Sequence, residues 1–277
     1  MTVLVVGAST GFGAAIAEAF VAQGERVIGT SRSAPGEGAL SGTGLTMAQL
    51  DVCDEASVAA LAVRLDKAGI VPDVAVLNAG YGISGAIEDT PVEAAMAQFN
   101  TNFLGVHRMV RALLPGMRAR GSGRLIVIGS VAAQIPVPFQ AFYSASKAAV
   151  EAYAAALRME VAAFGIDVTV VEPGDHKTAF GAARPLSDSG PESASQPQAQ
   201  RAVAIMEASE LAGAPASDVA RLVVRIAGVK RPKARYVQAN RMERLGLVLQ
   251  RVLPAALFEG IIMDTYKVPG RGRRTGN

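Results

Sequence analysis

The sequence predicts an α/β fold in which a doubly wound, mostly parallel sheet lies between two layers of helices. Three observations lead to this fold class. Short, continuously apolar runs alternate with alanine-rich helical patterns along the chain, and glycine or polar residues separate them. The 277 residues are half hydrophobic, which is enough for one large core. Strands that are apolar on both faces are typical of parallel sheets, and right-handed crossovers place helices on both sides.

Each element follows from the alternation of apolar and helical segments. Strands are expected at residues 3–6, 26–30, 45–51, 74–77, 125–128 and 168–171. Helices are expected at residues 13–23, 55–67, 92–120 and 141–164. No change in composition marks a second domain, so residues 1–277 are expected to form a single domain with a helical extension at its C-terminal end.

The composition changes after Phe180. Residues 181–215 begin with a stretch rich in Ser, Pro, Gln and Gly, which predicts a loop or lid beside the substrate. A helix at 217–227 and a strand at 235–237 follow. Residues 241–266 form an amphipathic helical segment that Pro254 should end or bend, and residues 268–277 form a flexible basic tail.

Three interpretations of residues 241–266 remain open. The segment is a helix packed permanently on the sheet, a lid that closes over the substrate, or a shallow membrane contact. The last is helped by the three basic residues Arg271, Arg273 and Arg274.

Composition restricts the classes of function. A net charge of +3 is too weak to indicate nucleic-acid binding. The single cysteine, Cys53, rules out an internal disulfide and suits a reducing compartment. The sequence has no run of about 18 apolar residues, which a membrane span would need, and no charged leader typical of a signal peptide. A cytoplasmic protein is therefore expected. The two histidines have no Cys or carboxylate cluster beside them in the sequence, so no metal site is expected.

A glycine-rich segment, Gly7-Ala8-Ser9-Thr10-Gly11-Phe12-Gly13, joins the first strand to the first helix. Glycine permits a tight turn and lets the backbone approach a pyrophosphate, while the helix N-terminus offers unpaired N–H groups. Three glycines alone are weak evidence, and an ordinary strand-to-helix turn is the alternative. With the predicted sheet, the segment indicates a Rossmann-type dinucleotide site.

The end of the second strand indicates which dinucleotide is bound. An acidic residue there usually binds the ribose hydroxyls of NAD, but the sequence has Thr30-Ser31-Arg32. A guanidinium suits the additional 2′-phosphate of NADP, so NADP(H) is expected over NAD(H). A solvated surface arginine is the alternative.

Tyr143 and Lys147 are four residues apart on a predicted helix and therefore share one face. An ammonium at ~4 Å stabilises a phenolate by up to about 4 kcal/mol at an effective dielectric constant of ~20. That would lower the phenol pKa by about 3 units and make Tyr143 a useful acid and base. Ser130 ends the strand at 125–128, where its hydroxyl can hold a substrate oxygen.

Taken in order, these motifs make residues 3–178 resemble the short-chain dehydrogenase/reductase family in its single-domain branch. Besides the glycines, Ser130, Tyr143 and Lys147, the resemblance rests on further motifs: Asp51-Val52, Asn78-Ala79-Gly80, Asn102 and Pro173-Gly174 with Thr178. Three features depart from the family pattern. Val6 and Leu77 replace a common threonine and asparagine, and Asp175-His176-Lys177 is unusually polar.

The resemblance implies catalytic roles for Asn102, Ser130, Tyr143 and Lys147, with Asn102 completing a proton relay through a water. It implies cofactor contacts by Gly7, Ser9, Thr10, Gly11, Phe12, Gly13, Arg32, Asp51, Val52, Asn78, Ala79, Gly80, Tyr143, Lys147, Pro173, Gly174, His176 and Thr178. Among these, Ser9 and Arg32 would take the 2′-phosphate, and Asp51 and Val52 the adenine. The segment from Pro173 to Thr178 would seat the nicotinamide carboxamide.

The activity implied is hydride transfer between NADP(H) and a small-molecule carbonyl or alcohol, with Tyr143 moving the proton. Apolar residues at 132–139 and in the C-terminal region suggest a hydrophobic substrate. The alanine-rich helix at 141–164 is either buried within its own domain or the interface of a homodimer or homotetramer, as in the family. The alternatives to an enzyme are a regulator that binds NADP(H) without turnover and a self-associating scaffold.

Overall fold

Alternating strands and helices cover most of the chain in the computed structural model, which describes residues 1–35, 39–40, 42–178 and 193–270. The strands are β1 (Thr2–Val6), β2 (Arg26–Ser31), β3 (Leu45–Gln49), β4 (Val74–Leu77), β5 (Gly123–Ile128), β6 (Ile166–Pro173), β7 (His176–Lys177), β8 (Ala214–Pro215) and β9 (Arg235–Gln238). The α-helices are α1 (Gly11–Ala22), α2 (Glu55–Lys67), α3 (Val92–Phe99), α4 (Gly105–Arg120), α5 (Ala141–Val161), α6 (Gln196–Ala212), α7 (Ala216–Ala227), α8 (Arg241–Val252) and α9 (Ala255–Thr265).

Seven strands form one sheet in the order β3-β2-β1-β4-β5-β6-β9, and every neighbouring pair is parallel. The chain order reverses between β1 and β4, which opens a crevice at the carboxyl ends of these strands. The predicted doubly wound fold is confirmed. The predicted strand at 45–51 ends at Gln49, and the predicted strand at 168–171 is longer, from Ile166 to Pro173.

Successive side chains along a strand point to opposite faces of the sheet, so the core is divided between these two faces. Leu4 and Val6 of β1 join one hydrophobic cluster, which also contains residues of α2, α4 and α5. Val3 and Val5 join the other, which contains residues of α1 and α7. Burying each such side chain contributes about 1.5–3 kcal/mol, so this three-layer arrangement holds the carboxyl edge of the sheet rigidly.

The helix predicted at 92–120 is interrupted. A π-helical turn, Asn100–Leu104, separates α3 from α4 and contains the buried Asn102. The turn begins with the polar residues Asn100, Thr101 and Asn102, but their spacing does not distinguish a π turn from a continuous α-helix. Such single π turns are frequent at functional sites.

The prediction of a loop at 181–215 is wrong for the second half of this range, which forms a helix. Residues 181–192 lie outside the described residues, but α6 begins at Gln196 and is 17 residues long. Pro197 is tolerated because it stands in the first turn, where its missing N–H has no helical partner. After α6, β8 pairs with β7 in a separate two-stranded sheet.

The predicted break at Pro254 is confirmed, since α8 ends at Val252 and α9 begins at Ala255. Leu247 and Phe258 are buried against Val131 and Ile135, in the segment that follows β5. In contrast, most of the apolar stripe that the spacing predicts for this segment faces solvent. All of its residues except Leu249 and Leu253 are exposed: Met242, Leu245, Val248, Val252, Ala256 and Leu257. Of the predicted tail at 268–277, residues 271–277 lie outside the described part of the chain. Within the described part, no helix is both long and apolar enough to cross a membrane.

Candidate active site

The glycine loop after β1 forms a cradle in which backbone conformation or close packing favours glycine at three positions. Gly7 and Gly11 have φ of +78° and +57°. A Cβ on Gly13 would collide with the carbonyl oxygen of Gly7, and one on Gly7 would lie 3.0–3.2 Å from Ala79. Asn78 braces this turn because its Nδ2 donates to Gly7 O at 2.8 Å. The first turn of α1 carries no acidic residue, so its N-terminus suits an anion.

The carboxyl ends of β2 and β3 border a cleft of about 370 Å³. Arg32, Gln49, Asp51, Ser57 and Arg64 are among its lining residues. Asp51 is fixed by two bonds, since its Oδ1 accepts from Cys53 N at 2.8 Å and its N–H donates to Ser57 Oγ at 2.9 Å. Val52 is buried, whereas Ser9, Thr10 and Arg32 are exposed. This part of the crevice therefore combines ordered backbone with exposed polar side chains.

Asn102 is almost completely buried, at 1% exposure, and its amide makes three hydrogen bonds. Its Oδ1 accepts from Tyr81 N at 3.0 Å, and its Nδ2 donates to Tyr81 O at 2.9 Å. Nδ2 also donates to Ser146 Oγ at 3.0 Å, and that hydroxyl donates to Tyr143 O at 2.8 Å. Ser146 thus ties the π turn to the start of α5. Sequence reasoning missed Ser146, although its position between Tyr143 and Lys147 was a usable signal.

Lys147 is buried at 6% exposure, and its Nζ donates to Ile128 O at 2.8 Å. Nζ also lies 5.9 Å from the centroid of the Tyr143 ring, on the same face of α5. A Cβ on Gly80 would be 3.0 Å from Asn102 Oδ1 and 3.7 Å from Lys147 Nζ, so these residues share one small space. Ser130 follows two residues after Ile128, and its Oγ accepts from Ala132 N at 3.1 Å.

Burial shifts the pKa values of Lys147 and of two carboxylates, Glu151 and Glu172. It lowers the pKa of Lys147 to about 8, and the nearby Glu151 opposes that effect. Burial raises the pKa of Glu151 to about 8, and repulsion from Glu172 adds to it. Glu172 is fully buried, and burial raises its pKa to about 7 although Arg235 Nε lies 3.1 Å from its Oε1. Neither carboxylate was a predicted site residue, although Glu151 is four residues after Lys147 and therefore shares its helix face.

The segment after β6 lies opposite the glycine loop. A Cβ on Gly11 would be 3.8 Å from Thr178 Cβ, and the rings of Phe12 and His176 meet edge to face at 5.3 Å. Pro173 is buried, and Gly174 N donates to Gln238 O at 2.9 Å. The structure therefore brings the two predicted cofactor segments together across the crevice.

The residues present fit a dinucleotide. They supply a glycine cradle at a helix N-terminus, an exposed guanidinium beside a cleft, and a buried ammonium with a phenol at the other end. A phenol beside an ammonium can exchange a proton with an oxygen, and a hydroxyl at Ser130 can bind that oxygen.

Comparisons with known proteins show which family the sequence and the fold match. The family model described as short chain dehydrogenase matches residues 1–187. A 3-ketodihydrosphingosine reductase of Bacteroides thetaiotaomicron is 41% identical over 186 residues, which cover 67% of this chain and 68% of that protein. Retinol dehydrogenase 8 of Bos taurus is 34% identical over 251 residues, covering 84% of this chain and 80% of the relative. The crystal structure of a short-chain dehydrogenase from Streptomyces avermitilis superposes with a TM-score of 0.77 at 31% identity, covering 96% and 97% of the two chains.

Proposed function

The chain belongs to the short-chain dehydrogenase family of NAD(P)-dependent oxidoreductases acting on CH–OH and C=O groups, and we propose that it prefers NADP(H). In this proposal the substrate is a hydrophobic ketone, aldehyde or alcohol, and Tyr143 is the general acid and base. The observation that carries the proposal is the buried Lys147 ammonium on the same helix face as the Tyr143 ring. A dinucleotide, when bound, supplies the hydride.

Each catalytic residue has a separate task in this proposal. Ser130 donates a hydrogen bond to the substrate oxygen and orients it toward Tyr143. In reduction, the Tyr143 hydroxyl gives its proton to that oxygen, and in oxidation the phenolate takes it back. Lys147 stabilises the phenolate and offers N–H groups to ribose hydroxyls. Asn102 holds the turn at Tyr81 and Ser146, so it fixes the place where a water can pass protons to Lys147.

The preference for NADP(H) rests on Arg32. It stands at the end of β2, where an acidic residue would repel a phosphate, and it lines the cleft with Arg64. Asp51 and Asp54 also line this cleft, so the proposal depends on the position of the Arg32 guanidinium at the end of β2 and not on the net charge of the lining. Ser9, exposed in the glycine loop, is the second proposed contact to the 2′-phosphate.

The proposed substrate is apolar because the segment after Ser130 joins the apolar cluster under α8 and α9. The relatives named for 3-ketodihydrosphingosine and retinol support this choice. We also propose a homodimer or homotetramer in the cytoplasm. The outer face of α5 leaves Ala148, Ala152, Ala155 and Met159 exposed, which supports an interface there. Light scattering of the purified protein tests the assembly.

The test is an NADPH-oxidation screen against aliphatic, aromatic and polycyclic carbonyls, repeated with NADH. We expect turnover on apolar carbonyls, with a higher kcat/KM for NADPH. NADPH binding without turnover on any member would instead favour a regulator. Tyr143, Lys147 and Ser130 at one edge of the sheet argue against a regulator, since a protein that only binds needs no such set.

A further inference from the structure

The polar segment Gly174-Asp175-His176-Lys177 is held from outside the crevice by the first turn of α8. Glu243 Oε1 accepts from the backbone N–H of Asp175 at 2.6 Å. Its other oxygen, Oε2, accepts from Asn240 N at 2.7 Å, and Asn240 Oδ1 accepts from Glu243 N at 2.9 Å. Glu243 therefore completes the capping box of α8 and binds Asp175 with the same carboxylate.

The fit around this carboxylate is close. A Cβ on Gly174 would collide with both carboxylate oxygens of Glu243, so a larger residue there would displace the carboxylate from this position. Burial raises the pKa of Glu243, and the two backbone N–H groups of Asp175 and Asn240 oppose that effect. Gly174 N donates to Gln238 O at 2.9 Å, which fixes the other side of the segment on β9.

The same helix also contacts the segment that follows the catalytic serine. Gln250 donates to Gln134 O, and Leu247 is buried against Ile135. A Cβ on Gly246 would lie 3.2 Å from Ile135 Cδ1, so α8 approaches this segment closely. Helix α8 thus contacts the segment between Ser130 and Tyr143 with its middle, and the segment between Pro173 and Thr178 with its first turn.

Helix α6 reaches the Asp175 segment from another direction. Ser209 donates to the Asp175 carboxylate, and His176 pairs with Ala214 in the β7–β8 ladder. His176 in turn packs its ring on Phe12 of the glycine loop, and its Nδ1 lies 2.9 Å from Gly174 O. The segment therefore connects the two C-terminal helical elements to the glycine loop.

We propose that Glu243 is a positioning residue that fixes the nicotinamide end of the cofactor site to the C-terminal helix α8. If the carboxylate is lost, Asp175 N–H loses its acceptor, and the segment from Gly174 to Lys177 keeps only its bonds to β9, Ser209 and β8. Its position opposite the glycine loop is then less tightly fixed. The proposal rests on the proposed function, because it takes the segment from Pro173 to Thr178 as the nicotinamide site. It also accounts for the polar Asp175, whose backbone and side chain are both bound.

The test compares Glu243→Gln with Asn240→Ala in the full-length protein. The glutamine keeps the size of the side chain but replaces one acceptor oxygen by a donor, so one of the two backbone N–H groups is left unpaired. Asn240→Ala removes the side-chain cap of the same helix and leaves the Glu243–Asp175 bond in place. NADPH affinity is measured by fluorescence titration, and amide hydrogen exchange is measured over residues 170–178.

We expect Glu243→Gln to weaken NADPH binding about tenfold, as for loss of a charge-assisted bond that orders a binding segment, and Asn240→Ala to weaken it less than about twofold. Exchange of residues 174–177 should accelerate only in Glu243→Gln. Equal affinities and equal exchange in the two variants would overturn the proposal. If the wild-type protein binds neither NADPH nor NADH, the proposed function fails instead, and hydrogen exchange alone still decides whether Glu243 holds the segment.

Discussion

At one end of the crevice, Arg32 and Ser9 lie exposed beside an open cleft, whereas at the other end Lys147 and Asn102 are almost completely buried. Arg32 faces water, so its charge costs little to maintain. Lys147 has lost most of its hydration, and burial lowers its pKa to about 8. The proposed recognition group therefore lies in water and the proposed proton-handling group in a low-dielectric site.

This difference determines how each end should respond to substitution. At the exposed end, a charged side chain affects mainly the affinity for an anionic ligand, and salt screens that effect. In the buried site, each polar group depends on its partners, and one unpaired atom affects folding and chemistry together. The following variants test the two ends, beginning with the largest expected effect.

Tyr143→Phe removes only the hydroxyl from the buried end. Without the proton donor, turnover should fall by about 10²–10⁴-fold. NADPH affinity should stay within a few-fold of the wild type because the ring remains in place. Tyr153→Phe is the matched control, since that residue lies on the same helix and its hydroxyl is 3.0 Å from His107 Nδ1. Single-turnover kinetics would contradict the assignment if Tyr143→Phe retained more than about a tenth of the wild-type rate.

Arg32→Glu tests the exposed end. NADPH affinity should fall about tenfold to a hundredfold at low salt, while NADH affinity changes little, because the new charge repels the 2′-phosphate. The difference should shrink as salt is added. Arg221→Glu on α7 changes the net charge equally and should leave both affinities unchanged. Equal losses for NADPH and NADH would show that Arg32 does not contact the phosphate.

Ser146→Ala breaks the link between α5 and the π turn. The Asn102 amide and the Tyr143 carbonyl each lose a partner, so the free energy of unfolding should fall by about 1–3 kcal/mol. Turnover should fall as well, because Asn102 loses one of the bonds that hold it. Ser144→Ala is the control, as that buried hydroxyl accepts from Val137 N at 3.2 Å instead. If both variants keep full turnover, the link is structural only.

Glu151→Gln makes the smallest change, and it tests how burial sets the charge of Lys147. The Glu151 carboxylate opposes the lowering of the Lys147 pKa, so the variant should lose that proton at lower pH. The alkaline limb of the kcat/KM profile should therefore move to lower pH. Glu160→Gln, exposed on the same helix, should leave the limb in place.

Chemical denaturation of this variant gives a second readout. The pKa of Glu151 is raised from 4.5 to about 8, so the folded protein holds this proton more tightly than the unfolded chain. The resulting stabilisation is complete below pH 4.5 and is lost as the pH rises through about 8. The stability of the wild type relative to Glu151→Gln should therefore fall between pH 5 and 9. A constant difference would mean that Glu151 is ionised throughout this range.

The proposed catalytic pair was predictable because its geometry is local. A spacing of four residues places Tyr143 and Lys147 on one helix face whatever the rest of the fold. The glycine loop was predictable for a similar reason, since Gly7, Gly11 and Gly13 all lie within one turn. The bonds that complete the site span longer distances. Asn102 and Ser146 are 44 residues apart, and Asp175 and Glu243 are 68 residues apart.

The C-terminal region shows a different limit. Helix α6 was missed because it buries only Ala199, Ala202 and Met206, and because Gln and Pro dominate its start. In α8 the amphipathic pattern predicted a helix correctly but not its orientation. An apolar stripe shows that one face of the helix is more hydrophobic than the other. Whether the rest of the protein covers that face depends on where α8 packs. Glu243, Leu247 and Gln250 fix that attachment on the other side.

The π turn at Asn100–Leu104 determines how the protein should respond to deletion of a single residue there. A π turn closes i→i+5 bonds where an α-helix closes i→i+4 bonds, so it contains one additional residue. Deleting one codon there would convert the π turn into regular α-helix and leave α3 and α4 close to their present orientation. Ala95 and Gln98 would then keep their buried faces, whereas the narrower turn would draw Asn102 away from its bonds to Tyr81 and Ser146. A one-residue deletion here is therefore expected to impair the proposed proton relay while the fold persists.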